Sequence, residues 1–142
     1  MLQTIIEAAS NFCHEQLGVE KIELHETKQL ENGALVAYID IETRQNGRYR
    51  AYLAAEKDFV QFVAQIFLEE EQSDEETIMD MAMECTNLIV GSAKVIASKN
   101  GVDFTISTPH LEKVDAFTHG FDEAALLVCN GKSLFIALSK ID

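Results

Sequence analysis

Three of the four Asn-Gly dipeptides in this sequence constrain the fold more strongly than any other feature. They lie at residues 32–33, 46–47 and 130–131, each between segments rich in β-branched, aromatic or other apolar residues. Asn-Gly readily adopts the positive φ angles that tight β-hairpins require. The segments 34–43 and 48–54, which flank the second dipeptide, are therefore predicted to be antiparallel partner strands.

The loop at Gln45–Gly47 suggests a register for this hairpin. A three-residue loop there pairs Ile41 with Ala51 and Glu42 with Arg50. Apolar side chains then face apolar ones, and opposite charges lie across from each other. This register gives Arg50 a structural role that needs no ligand.

The remaining strand predictions come from shorter segments. Residues 19–28 and 103–108 have strand-like composition, whereas 109–114 receives no assignment. The C-terminal hairpin, 123–141, is apolar on both faces of both strands, which is typical of strands buried on both sides.

Two amphipathic helices are predicted in the first half of the chain. Residues 2–17 place apolar side chains at three- and four-residue steps and end at Gly18. Residues 56–68 form the second helix. Its apolar side is predicted to consist of Phe59, Phe62, Val63, Ile66 and Phe67.

The third helix is predicted to be the longest, from residue 74 to residue 99. Ser73, followed three residues later by Glu76, has the pattern of a capping box at its start, and Asn100-Gly101 ends it. Hairpin-linked strands without strand–helix–strand alternation indicate an α+β fold. We expect a largely antiparallel sheet with three helices packed on it.

Composition limits the range of functions. A chain of 142 residues with 47% hydrophobic content fits a single domain, 1–142. The net charge of −13 disfavours binding to nucleic acid and to anionic membranes, and favours protein partners with exposed lysines. No apolar run approaches the roughly 18–20 residues that span a bilayer, and the N-terminus lacks a signal-peptide pattern. A cytoplasmic location is expected.

Cysteine and histidine patterns give no metal or redox motif. The histidines are scattered, and a site combining His110 with Glu84 or Asp80 remains an open alternative. No glycine-rich phosphate loop or serine nucleophile motif is present. Three cysteines, far apart and each among apolar residues, are expected to be buried free thiols: Cys13, Cys85 and Cys129.

The third helix carries a narrow line of polar residues opposite its apolar side. At about 100° per residue, Glu84, Asn87, Gly91 and Lys94 all fall within about 40° of Asp80. We call these five residues the polar stripe. The apolar side is predicted to include Ile78, Met81, Ala82, Cys85, Ile89, Ala93 and Ile96.

Two interpretations of the polar stripe compete. It could be an ordinary solvated helix face. However, such faces usually contain good helix formers, and Asn and Gly each cost about 0.5–1 kcal/mol relative to Ala. Gly91 also removes a side chain where another protein could approach. A carboxylate and an amide one turn apart, beside a bare position, indicate a docking and positioning surface.

The pattern D-x3-E-x2-N-x3-G, formed by Asp80, Glu84, Asn87 and Gly91, resembles the CheC/CheX/FliY family of chemotaxis phosphatases. A strand ending in residues 106–109, Ile-Ser-Thr-Pro, follows the helix as it does in that family. The strand and helix order is similar over nearly the whole chain. A single E-x-x-N sequence resembles CheX, which has one active helix, more than CheC, which has two.

The resemblance implies an enzyme of two-component signalling. It would hydrolyse the phosphoryl-aspartate of a response-regulator receiver domain such as CheY. Glu84 would pair with a receiver lysine, Asn87 would hold the attacking water, and Asp80, Gly91 and Lys94 would belong to the docking surface. No cofactor of its own is implied, because the receiver would supply Mg²⁺. Family resemblance also suggests a homodimer formed through sheet edges.

One departure from the family pattern and two other functions stay open. Cys85-Thr86 occupies positions where a Leu-Gly-like pair is frequent; Cys85 can replace leucine in the core, whereas Thr86 is expected to add bulk near Asn87. A non-catalytic module of the same fold would bind a receiver or a flagellar-switch component without turnover. A homodimer with an ordinary polar surface is the other alternative.

Overall fold

The computed structural model describes residues 1–25, 34–114, 117 and 119–141. Helix α1 continues directly into a short π-helical segment, which we call the π turn. The helices are α1 (Leu2–Asn11), the π turn (Phe12–Gln16), α2 (Lys57–Leu68) and α3 (Glu75–Lys99). The strands are β1 (Ile22–His25), β2 (Ala34–Thr43), β3 (Arg48–Glu56), β4 (Phe104–Ile106), β5 (His110–Val114), β6 (Glu123–Cys129) and β7 (Lys132–Lys140).

All seven strands of the described residues join one antiparallel sheet. Its order is β1-β6-β7-β3-β2-β4, and β5 also pairs with β2. The β6–β7 hairpin turns at Asn130 and Gly131, whose φ angles are 53° and 74°. These positive angles are those that Asn-Gly provides in a two-residue hairpin loop. The predicted α+β fold with an antiparallel sheet and three helices is confirmed.

The sheet has apolar side chains on both faces, and the helices cover one of them. Ile39 and Ile136 face the helices and are fully buried in the main core. Val36 and Phe135 face the other way, into a second cluster that includes Phe117. Because β6 and β7 contribute to both clusters, the prediction that the C-terminal hairpin is buried on both faces is confirmed.

The register predicted for the β2–β3 hairpin is wrong by two residues. Ile41 lies opposite Tyr49, and Glu42 lies opposite Arg48. The hairpin closes one residue earlier than predicted, because the Thr43 amide and hydroxyl both donate hydrogen bonds to the Gly47 carbonyl, at 2.9 and 2.8 Å. A shift of two leaves every side chain on its predicted face.

The corrected register gives Arg50 a different carboxylate partner. Its guanidinium donates to both carboxylate oxygens of Asp40, at 2.7 and 3.1 Å, rather than to Glu42. This bidentate hydrogen bonding holds the pKa of Asp40 below its usual range. The expectation that Arg50 serves the sheet is confirmed, with the charge partner corrected.

Helices α1 and α2 follow the predictions closely. The first ends in the π turn, and Gly18 leaves it with a φ of 67°. In α2, Phe59 and Val63 are buried as predicted, but Ile66 is exposed. Val60 and Ala64, which directly follow Phe59 and Val63, are buried as well, so the face of α2 that meets the core is rotated relative to the predicted one.

The start of α3 lies one residue later than the capping-box pattern predicted. Asp74 is the N-cap, and its carboxylate accepts a hydrogen bond from the Thr77 amide at 2.8 Å. Ser73 instead donates its hydroxyl to Glu70 at 2.9 Å. The helix ends at Lys99, before Gly101 with its φ of 82°, as predicted.

Segment 109–114, left unassigned by the sequence, forms β5 along the edge of β2. Between β4 and β5, the hydroxyl of Ser107 accepts from the Asp40 amide, and the Ser107 amide donates to the Asp40 carbonyl, both at 2.9 Å. Pro109 follows at the edge of the sheet, where its lack of an amide hydrogen removes no hydrogen bond between strands. The Asn-Gly at 32–33 lies outside the described residues, as do the last residues of the 19–28 strand prediction. The strands on either side of that dipeptide do not form a hairpin, because β1 pairs with β6 whereas β2 pairs with β3, β4 and β5.

Candidate functional site on helix α3

Helix α3 is two-faced, as its sequence predicted. Its buried side packs against α1, α2 and β2. The buried residues are Ile78, Met81, Ala82, Cys85, Thr86, Ile89, Val90, Ala93 and Ala97. Ile96, assigned to this side by the sequence, is half-buried at its margin. The opposite side of the helix is open along its length, and the polar stripe lies there.

Four side chains of the polar stripe point away from the core. Asp80, Glu84, Asn87 and Lys94 are all exposed. The stripe extends over about 21 Å of helix, given a rise of about 1.5 Å per residue. Asp80 and Glu84 are like charges four residues apart, an arrangement that weakens a helix by a few tenths of a kcal/mol. This arrangement concentrates negative charge at one point on the surface.

The carboxylate of Glu84 and the amide of Asn87 are neighbours on the helix surface. Residues three apart have Cβ atoms about 5–6 Å from each other. Within the described part of the chain, neither side chain has a hydrogen bond or a salt bridge. Both groups are therefore available to a partner and to solvent.

Asn87 lies next to two buried residues. Cys85 and Thr86 are 5% and 2% exposed, and the Thr86 hydroxyl donates to the Ala82 carbonyl at 2.9 Å. The expectation that Thr86 adds bulk beside Asn87 is wrong, because the side chain points into the core. Thr86 therefore does not crowd the exposed amide.

Gly91 leaves a bare position one turn after Asn87. A Cβ atom added there would meet no atom within 4 Å. The protein itself does not require a glycine at this point, because the helix has ordinary φ and the space is open.

The structure excludes a metal site that combines His110 with the polar stripe. His110 stacks on Tyr38, with ring centroids 5.1 Å apart, on the sheet face opposite the helices. Among the described residues, no group of three His, Cys, Asp or Glu side chains is placed to hold a metal ion. The alternative that joins His110 to Glu84 or Asp80 is therefore wrong.

The three cysteines are free, buried thiols, as predicted: Cys13 in the π turn, Cys85 in α3 and Cys129 at the end of β6. A hydrogen bond with Cys129 and burial raise the pKa of the Cys13 thiol. Burial raises the pKa of the Cys85 thiol to about 12. The Cys13 and Cys85 thiols therefore remain protonated at neutral pH, and all three cysteines belong to the core.

A groove beside the polar stripe was not predicted from the sequence. It has a volume of about 300 Å³ and lies between the π turn and α3. Glu84 and Leu88 line it from α3, and Phe12 and Glu15 line it from the other side. Leu88 is 40% exposed although it lies in a long helix next to the core, and an exposed leucine beside the stripe is the one sequence signal that could have indicated the groove.

Residues 36–119, which include all of α3 and the polar stripe, match the sequence model of the chemotaxis phosphatase CheX. The chain belongs to the CheX family. No curated protein sequence matches it. Among the described residues, no helix has the length and apolar character needed to cross a membrane.

Solved structures show the same fold over nearly the full length. Chemotaxis protein CheX from Vibrio vulnificus is 20% identical, with a TM-score of 0.77 and coverage of 96% of this chain and 93% of that one. CheX from Borrelia burgdorferi, solved in complex with CheY, BeF3 and magnesium, is 18% identical, with a TM-score of 0.70 and 97% coverage of both chains. Thermotoga maritima FliY is 19% identical, with a TM-score of 0.60, coverage of 97% of this chain and 85% of FliY.

Proposed function

We propose that this CheX-family protein hydrolyses the phosphoryl-aspartate of a CheY-like receiver domain. Asn87 orients the attacking water, and Glu84 pairs with a receiver lysine beside the phosphoryl group. The observation that carries the proposal is the exposed, unpaired Glu84–Asn87 couple on the helix that the family model covers. The Borrelia CheX structure, which holds CheY with BeF3 and magnesium, supports the choice of partner.

The reaction needs little from the phosphatase beyond positioning. An acyl phosphate is already activated, since its leaving group is a carboxylate. Water attacks phosphorus, the bond between phosphorus and the aspartate oxygen breaks, and phosphate and a free carboxylate result. Phosphoryl transfer is catalysed chiefly by alignment and by charge stabilisation. The receiver's own Mg²⁺ supplies the charge, so the proposal includes no cofactor bound by this chain.

The Asn87 carboxamide has the chemistry for this task. Its oxygen accepts a hydrogen bond and its nitrogen donates, so it can orient one water molecule. An amide does not titrate near neutral pH, and its hydrogen-bonding pattern stays constant. The water-orienting glutamine of GTPases has the same function. Neither a general base nor a covalent intermediate on this chain is required.

Glu84 has the chemistry for docking. An exposed carboxylate attracts an ammonium group, and the nearby Asp80 carboxylate adds to the attraction. Because Glu84 and Asn87 lie on one face of a rigid helix, a lysine bound by the first places the second at a defined distance from phosphorus.

The test is the decay of phosphorylated receiver with and without this protein. We expect Asn87→Ala to abolish the acceleration while the circular dichroism spectrum stays unchanged and the melting temperature does not fall, because alanine is the better helix former. Asn100→Ala is the control for removal of an exposed amide elsewhere on the same helix. Asn100 caps the helix end by donating to the Ile96 carbonyl, so this variant should keep the acceleration. Full acceleration by Asn87→Ala would disprove the water-orienting role.

Glu84 is tested separately through binding. Glu84→Lys should raise KM more than it lowers kcat, because it replaces attraction to a cation with repulsion. Unchanged affinity for the receiver would remove Glu84 from docking. The alternative function, a non-catalytic receiver- or switch-binding module, predicts binding without any acceleration of decay by the unmodified protein.

A further inference from the structure

The groove between the π turn and α3 lies directly beside the proposed catalytic couple. Its volume of about 300 Å³ is enough for one or two side chains of another protein. Glu84 lines both the groove and the polar stripe, and Leu88 follows Asn87 in the chain. A molecule that contacts Asn87 would therefore meet the groove in the same encounter.

Four of the nine residues that line the groove are apolar. Phe12 and Phe67 pack there with ring centroids 5.8 Å apart, and Ala8 lies at its base. Leu88 contributes its exposed side chain from α3. Large apolar side chains that stay partly exposed in a concavity are typical of places where a partner's side chain inserts.

The rim of the groove is acidic. Glu15 and Glu84 border it from opposite walls, and no lysine, arginine or histidine of the described chain lines it. Two carboxylates without a neighbouring cation favour a partner that brings one. The groove therefore suits an apolar side chain next to a lysine or arginine.

The π turn shapes the wall that carries Glu15. Its amide-to-carbonyl bond from Leu17 to Phe12 spans five residues, at 3.3 Å, instead of the four of an α-helix. Such wider turns are rare in proteins, and those that occur are frequently found at functional sites. Here the turn places Phe12 and Glu15 on the same concave surface.

We propose that this groove is the second half of the receiver-docking surface. It takes up an apolar side chain and an adjacent cation from the receiver surface that borders the phosphorylation site. This inference rests on the proposed function, since it names further contacts of the same partner. A second copy of this chain is a poorer occupant, because each copy carries a net charge of −13 and the acidic rim would gain no cation.

Binding to a CheY-type receiver from the same organism, loaded with beryllofluoride and Mg²⁺, tests the groove without requiring turnover. Leu88→Ala should weaken binding about tenfold, as expected for an apolar contact excluded from water. Leu68→Ala is the matched control, because Leu68 is equally exposed, at 41%, on α2 but does not line the groove. This control should bind as the unmodified protein does.

Glu15→Lys tests the acidic rim. It should weaken binding several-fold, with a larger effect at low salt than at high salt, because an exposed charge pair is screened. If both Leu88→Ala and Glu15→Lys bind within twofold of the unmodified protein, the groove is not a docking surface. Loss of self-association in these variants, with receiver binding unchanged, would make a second copy the occupant and overturn the proposal.

The outcome separates this inference from the proposed function. Receiver binding that depends on Leu88 and Glu15, without any phosphatase activity, would support the groove and disprove catalysis. Activity that depends on Asn87, with KM unaffected in both groove variants, would support catalysis and disprove the groove. Failure of the unmodified protein to bind any receiver would overturn both.

Discussion

Replacing Gly91 separates stability from docking, because the two effects should have opposite signs. Glycine in the interior of a helix costs about 0.5–1 kcal/mol relative to alanine. No atom lies within 4 Å of an added Cβ, so no steric cost offsets this gain. Gly91→Ala should therefore increase the free energy of unfolding by about 0.5–1 kcal/mol. For a chain of 142 residues this corresponds to a rise of roughly 2–4 °C in Tm.

Gly91→Leu adds a larger group at the same bare position. Leucine is nearly as good a helix former as alanine, so this variant should also be more stable than the parent, by about 0.5 kcal/mol. Its side chain would project into the space one turn after Asn87. If that space receives the receiver, KM for phosphorylated receiver should rise about tenfold or more, which corresponds to about 1.4 kcal/mol of lost binding.

Thermal or urea unfolding, together with dephosphorylation rates over a range of receiver concentrations, measures both quantities. Val95→Ala is the control, because Val95 is exposed on the same helix and its replacement raises helix propensity by about 0.5 kcal/mol without adding atoms. It should stabilise the protein and leave KM unchanged. A destabilised Gly91→Ala would refute the open-space argument, and a stable Gly91→Leu with normal KM would show that no partner approaches this position.

Three further predictions concern the fold. Asp40→Asn should cost about 0.5–1 kcal/mol at pH 7, since the partly exposed pair with Arg50 is lost, and urea unfolding measures this. Because Arg50 lowers the Asp40 pKa below 3.8, the difference between variant and parent should persist above that pH and shrink as the pH falls below it; a constant difference would refute the ion pair. Asp74→Ala should lower Tm more than Ser73→Ala does, because only the first removes the N-cap. The reverse order would support Ser73 as the N-cap, as the capping-box pattern predicted. A thiol reagent should label none of the three cysteines in the native protein and all three in denaturant, and native labelling would contradict their burial.

Local signals predicted the elements of this fold well. Asn-Gly and apolar periodicity act within a few residues, so the bounds of β2 and of α3 came out within one residue at each end. The hairpin register was predicted wrongly, because a shift of two residues leaves every side chain on the same face of the sheet. Only the hydrogen bonds of Thr43 to Gly47 decide between the two registers. Strand β5 was not predicted, because its charged residues, including Glu112, obscure the alternation of apolar and polar side chains that identifies a strand.

The candidate site was also predictable from the sequence only in part. The polar stripe was predictable because the angles of a single helix fix which residues share a face. The orientation of Thr86 was not, since the side chain lies near the border of the buried face and its hydroxyl bonds within the helix to Ala82. The groove depends on how the π turn packs against α3, two elements far apart in the chain, and the leucine at position 88 beside the stripe is the one local sign of it.

The burial of Cys85 and Thr86 before the amide, and of Ile89 and Val90 after it, has a consequence for the entropy of docking. Residues 87 and 88 form a short exposed ridge between two buried pairs, so their backbone is already fixed in helical geometry in the free protein. In the proposed docking, a binding partner would have to restrict only the side-chain torsions of Asn87, at a cost of about 1 kcal/mol, whereas a loop would lose about 1–2 kcal/mol for each backbone residue ordered. A ridge held in this way is preorganised before the encounter begins.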